Sequence, residues 1–264
     1  MKLGFIGCGN MANAMMGGII RNGIFKSEEI VASDVSTSAL ERAERNLGIR
    51  TVKNNAETAR TAQTVVLSVK PQFYQEVIDS IKNDCGQDKL ILTIAPGKTL
   101  EWLGKAFGRP MHIVRTMPNT PAMVGAGITA VSPNESVTKE ELDRTLKILS
   151  GFGIAEVIPE RLMDAVVSVS SSSPAYVFMM IEAMADAAVA DGMPRAQAYT
   201  FAAQAVMGSA KMVLETGKHP AELKDMVCSP AGTTIEAVRV LEEKGFRGCL
   251  MDAMKACTKK AKSL

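Results

Sequence analysis

The chain has 264 residues, 47% of them hydrophobic, enough to bury one or two substantial cores. Its formal charge of +2 offers no general attraction for nucleic acid. Two histidines, and five cysteines without a C-x-x-C pair, give a zinc cluster no support; the odd thiol count fits reduced cysteines in a cytoplasm.

Lys2 to Ile6 reads as a short strand and is followed by Gly7-Cys8-Gly9-Asn10-Met11-Ala12 and a helical pattern ending near Arg21. This is a G-x-G-x-x-A pattern between a strand and a helix. Gly7 permits the tight turn, Gly9 lets backbone approach a pyrophosphate, and Ala12 lets the helix sit close to the strand. The first amides of that helix, at Asn10 and Met11, add partial positive charge. A second strand ends at Ser33 and Asp34, where a carboxylate would bond ribose hydroxyls. The uncharged stretch from Leu3 to Ile20, with Ala12-Asn13-Ala14, also resembles a signal peptide, but five glycines interrupt it and no targeting segment is expected. Glu182, Asp186 and Asp191 interrupt the most apolar late segment below the roughly 20 residues needed to span a bilayer, so no membrane association is expected.

Strands are predicted at 2–6, 29–33, 64–69, 90–94, 111–115, 126–131 and 154–158, with helices at 10–21, 36–47, 71–82 and 138–150. Such alternation implies an α/β, Rossmann-like, mostly parallel sheet, whose ligands lie beyond the carboxyl ends of its strands. Three exits from strands therefore carry weight: Val69-Lys70-Pro71, Ala95-Pro96-Gly97, and Arg115 to Pro121. Proline and glycine there also serve simply to end strands.

After Pro159 the pattern becomes helical throughout, at 160–170, 174–191, 195–216, 220–227, 234–244 and 247–261. The expected division is a dinucleotide-binding domain at 1–159 and an all-helical domain at 160–264. Apolar residues surround much of the circumference of these helices, which predicts a homodimer or higher homo-oligomer joined through them. The tract from Leu223 to Ile235 runs a hydroxyl- and glycine-rich turn into a helix. Ser229, Gly232, Thr233 and Thr234 there read either as an ordinary cap or as a cup for a small carboxylate with a hydroxyl beside it. His112 and His219 read as surface or packing residues.

Together these residues resemble the pyrroline-5-carboxylate reductase family over nearly the whole chain. The resemblance rests on Phe5 to Ala12, Val69-Lys70-Pro71-Gln72, Arg115 to Pro121, Ser173-Pro174-Ala175-Tyr176 and, most specifically, Leu223 to Ile235. It implies hydride transfer from a nicotinamide coenzyme to the C=N carbon of 1-pyrroline-5-carboxylate, a cyclic imino acid, giving L-proline. It places the substrate carboxylate on Ser229 and the amides of Gly232, Thr233 and Thr234, and makes Thr234 the catalytic contact that polarises the imine nitrogen. It adds Asn55, Val69, Lys70, Pro71 and Ala95 to the coenzyme path.

Two departures from the family pattern stand out. Ser171 and Ser173 occupy positions where the family has glycine, which would be costly if that turn needs positive φ. Asp34 favours NADH, whereas the family commonly uses NADPH. Ser33, Ser36, Thr37 and Ser38 offer neutral donors to a 2′-phosphate, which leaves both coenzymes open; the family resemblance makes NADPH the expected coenzyme and NADH the alternative. Rival readings are a related reductase of another cyclic imine or of a 3-hydroxy acid, with Lys211 or Lys224 as its acid, and a non-catalytic nicotinamide-binding protein.

Overall fold

Eight strands form one sheet in the computed structural model, which describes residues 2–263. In chain order the elements of the first part are β1 (Leu3–Ile6), α1 (Asn10–Arg21), β2 (Ile30–Ser33), α2 (Thr37–Leu47), β3 (Arg50–Val52), α3 (Asn55–Thr61), β4 (Thr64–Leu67), α4 (Tyr74–Ile81), β5 (Leu90–Thr93), α5 (Leu100–Phe107), β6 (His112–Met117), β7 (Gly127–Pro133), α6 (Lys139–Leu149) and β8 (Gly153–Val157). The strand order is β3-β2-β1-β4-β5-β6-β7-β8, parallel except for the antiparallel pair β6–β7. Every residue of β1, β2, β4 and β5 is buried, because helices cover both faces. One core gathers Phe5, Met15, Ile19, Val114 and Phe152; the other gathers Ile6, Leu67, Tyr74, Ile78 and Leu103. The chain winds outward from β1 in both directions, so the crevice beyond β1 and β4 is the place where such a sheet receives a ligand.

The mostly parallel α/β sheet is as the alternation of apolar runs requires, with local differences. The predicted strand at 64–69 stops at Leu67. Ser68 turns the chain there, its amide donating to the Ile6 carbonyl at 2.9 Å and its hydroxyl to the Gly7 carbonyl at 2.8 Å. The predicted helix at 71–82 is a 3-10 turn, Pro71–Phe73, followed by α4. β3, α3 and α5 were not anticipated. α5 is bounded by a Thr99 cap and a left-handed Gly108.

Beyond β8 come α7 (Met163–Val166), α8 (Ser173–Ala190), α9 (Arg195–Thr216), α10 (Pro220–Val227), α11 (Thr233–Glu243) and α12 (Phe246–Ala261). The helix expected at 160–170 is instead a 3-10 turn, the short α7 and a π turn at Val167–Ser171. The hydroxyls of Ser168 and Ser170 bond back to the carbonyls of Ala165 and Val166, and Ser172 closes the wider turn onto Val167. Neither Ser171 nor Ser173 has positive φ. The serines at these two positions therefore carry none of the backbone cost that was conditional on a left-handed turn.

The chain divides into two compact units. The first runs to Ser172 and regains the chain from Cys257 on, where Thr258 donates to the Ser168 hydroxyl at 2.9 Å. The second, Ser173–Ala256, is helical. Among its described residues only Ala185, Ala198, Ala202 and Leu223 are buried, while Phe178, Met179, Phe201 and Leu214 stand open. No described helix is long and apolar enough to cross a membrane, and no described cluster of His, Cys, Asp and Glu could hold a metal.

Candidate active site

In the first unit the turn after β1 is set by Gly7, whose φ of +108° suits glycine alone. A β-carbon there would meet the Ser68 carbonyl at 2.7 Å. Gly9 caps α1 with extended backbone and no side chain satisfies the first amides of the helix, at Asn10 and Met11. The Asn13 amide group donates to the carbonyls of Cys8 at 2.7 Å and Gly9 at 2.9 Å, which fixes the loop just ahead of the open amides of Asn10 and Met11. A β-carbon on Gly9 would meet nothing within 4 Å, so its small size answers to space outside the protein's own packing. An uncapped twelve-residue helix with an open glycine at its start is a fit place for a pyrophosphate.

Beside this loop is a cavity of about 330 Å³. It brings together Gly7, Asp34, Asn55 and Val69 and adds Val35, Phe73 and Glu76, which sequence reasoning missed. Asp34 is tied down at both oxygens, accepting from the amides of Cys8 at 2.7 Å and Ser36 at 2.8 Å. Burial, with the Asp34 carboxylate nearby, pushes the Cys8 thiol up to about 12, so it stays protonated. Lys70 and Pro71 leave the sheet next to Val69 outside the cavity lining, with Lys70 exposed. Ala95 is buried behind the end of β5, where the Tyr74 hydroxyl donates to the Leu67 carbonyl at 2.6 Å and accepts from the Ile94 amide at 3.3 Å. Ser33 is wholly buried and its hydroxyl donates to the Asn55 side chain at 2.8 Å. It positions Asn55 and does not reach the cavity.

In the second unit, α10 ends at Val227 and the chain turns through Ser229 to Gly232, closed by the Gly232 amide on the Ser229 carbonyl at 3.1 Å. Ala231 holds φ +55°, the one described non-glycine residue on the positive side. Gly232 caps α11 with no side-chain bond, so the amides of Thr233 and Thr234 are presented free. Ser229 and Thr233 are exposed, and Thr234 is half-buried. The turn is therefore a second uncapped helix start, this one edged with hydroxyls.

Lys211 and Lys224 pair with near neighbours in the chain, Glu215 at 3.5 Å and Asp225 at 2.6 Å. His112 bonds Glu141 at 2.7 Å, and His219 accepts from the Ala221 amide at the start of α10, both structural tasks.

Residues 160–264 match the family described as pyrroline-5-carboxylate reductase dimerisation, and residues 2–97 the family described as NADP oxidoreductase coenzyme F420-dependent. The chain is 53% identical to the pyrroline-5-carboxylate reductase of Escherichia coli (strain K12), over 100% of this chain and 98% of that one. A pyrroline-5-carboxylate reductase structure from Coxiella burnetii aligns with a TM-score of 0.92 at 33% identity, covering 99% of this chain and 97% of that one. The Plasmodium falciparum pyrroline carboxylate reductase with NADP bound aligns at 0.91 and 32%, covering 100% and 97%. Identity of this extent over the full length means that the chain belongs to the pyrroline-5-carboxylate reductase family of NAD(P)H-dependent oxidoreductases.

Proposed function

We propose that the chain reduces 1-pyrroline-5-carboxylate to L-proline, and that its two uncapped helix starts divide the work. The observation that carries this reading is the Ser229 to Thr234 turn, whose free amides and hydroxyls match a small carboxylate next to a nitrogen. The amides of Thr233 and Thr234, with the Ser229 hydroxyl, hold the substrate carboxylate and orient the ring, while the Gly232 amide, expected beside them, closes the turn on the Ser229 carbonyl. Thr234 donates a hydrogen bond toward the imine nitrogen, which makes the adjacent carbon a better hydride acceptor. A threonine hydroxyl is a weak acid, so Thr234 polarises and positions, and the proton comes from the substrate or from water.

For the coenzyme, Gly7, Gly9 and the amides of Asn10 and Met11 receive the pyrophosphate, Asp34 and Asn55 the ribose, and Val69, Lys70, Pro71 and Ala95 flank the rest of the path. A bound nicotinamide coenzyme supplies the hydride. The family resemblance implies NADPH, with NADH the alternative that Asp34 raises. We assign coenzyme binding to residues 1–159 and substrate binding with subunit contact to 160–264, in line with the extent of the dimerisation match. The exposed apolar side chains of α8 and α9 support a homodimer or higher homo-oligomer formed through the helical part. Free cysteines throughout support a cytoplasmic setting.

The test is an assay of the purified chain with 1-pyrroline-5-carboxylate, a 3-hydroxy acid or no substrate, each with NADH and with NADPH. L-Proline should form with the imine alone, and Thr234→Ala should lose at least about tenfold in turnover. Coenzyme consumption with the hydroxy acid only, or near-normal turnover in Thr234→Ala, would remove the assignment.

A further inference from the structure

The cavity beside the nucleotide loop contains two carboxylates and no cation. Asp34 lies at the end of β2, Glu76 is in the first turn of α4, and no lysine, arginine or histidine lines the space among the described residues. The amides of Cys8 and Ser36 bind the two oxygens of Asp34 and hold its charge in place just ahead of α2. Two of the neutral groups near Asp34 have protein partners. Ser33 is buried against Asn55; the Ser36 hydroxyl accepts from the Ala39 amide as the cap of α2 and bonds Ser38 at 3.0 Å. Arg42, the basic side chain nearest in sequence on α2, opens onto a different cavity with Asn13, Asn46 and Met123.

Resting on the coenzyme reading above, we propose that Asp34 and Glu76 together exclude a 2′-phosphate and make NADH the coenzyme this chain selects. Asp34 retains lone pairs for the ribose 2′- and 3′-hydroxyls, which only the unphosphorylated ribose can offer as a pair of donors. A 2′-phosphate brings up to two negative charges against the fixed carboxylate of Asp34 and the exposed one of Glu76. Like charges a few ångströms apart at a protein surface are sufficient to change affinity by tenfold or more.

Dissociation constants for NADH and NADPH, measured by fluorescence titration of the intact oligomer, give a readout independent of turnover. Adenosine monophosphate and adenosine 2′,5′-bisphosphate serve as fragments that isolate the phosphate. Wild type should bind NADH at least about tenfold more tightly than NADPH. Asp34→Ser and the shape-preserving Asp34→Asn should each move that ratio toward NADPH by about tenfold, and Glu76→Gln by about two- to threefold, with circular dichroism unchanged. Equal or tighter NADPH binding by wild type, or a ratio unmoved in either Asp34 variant, overturns the proposal; an unmoved ratio in Glu76→Gln overturns the part assigned to Glu76. Binding of neither coenzyme would instead remove the coenzyme reading itself, and this selectivity with it.

Discussion

The hydroxyl of Ser229 fills the space that a β-carbon on Gly232 would need, and the same two residues close the turn through their backbones. Gly232 is thus held to hydrogen by its neighbour as well as by any ligand. Gly232→Ala should push the Ser229 hydroxyl aside and lower kcat/KM for the imine at least about tenfold, with coenzyme affinity within about twofold of wild type. Adding Ser229→Ala should recover melting temperature, because the overlap is relieved, without recovering activity. Full activity in the single variant would disprove the arrangement.

Ala231 holds a conformation that costs a residue with a β-carbon roughly 1 kcal/mol. Ala231→Gly is expected to gain about 0.5–1 kcal/mol, read as a higher melting temperature at fixed protein concentration. Ala231→Val should melt lower than wild type. A lower melting point in the glycine variant would show that the turn is not strained.

Gly7 and Gly9 sit two residues apart yet face opposite constraints. In Gly7→Ala the new methyl meets the Ser68 carbonyl and a positive φ, so both melting temperature and coenzyme binding should fall. In Gly9→Ala it meets empty space, so the fold should keep its melting temperature while coenzyme affinity drops at least about tenfold. Matching melting losses in the two variants would refute this division of roles.

Glu141 links β6 to the start of α6. Burial raises its carboxyl pKa, but the Thr138 amide at 2.9 Å and His112 at 2.7 Å outweigh that and hold it below the usual carboxylate range. A lowered folded pKa stabilises above the unfolded value of about 4.3, and that stability is lost as pH falls through the folded one. Glu141→Gln should therefore be about 1–2 kcal/mol less stable than wild type to urea at pH 7, with the gap closing below about pH 4. A gap of equal size at both values would contradict this account.

Much of this molecule was legible in the residues. The β1 turn, Asp34 and the Ser229 to Thr234 tract announce themselves because strand, glycine and helix follow one another in the order the chemistry requires. β3 and α3 were not visible, since three strand residues with polar character and a seven-residue helix are too short to set up a period. α5 carries a signal at each end, the Thr99 cap and the left-handed Gly108, but only eight residues between them. Ser33 shows the limit of reading by adjacency: it neighbours Asp34 in the chain but is turned into the interior. Ser68, Tyr74 and Glu76 matter through partners distant in sequence or through a shared cavity, which no local pattern encodes.

The thin interior of Ser173–Ala256 sets the terms on which the protein persists. Four small or medium side chains cannot offset the entropy of ordering 84 residues, so a lasting fold here calls for apolar cover beyond that interior. Where a second chain provides it, survival becomes a matter of mass action. Dilution then acts as a denaturant, and the temperature at which the chain unravels climbs with the amount of it in solution.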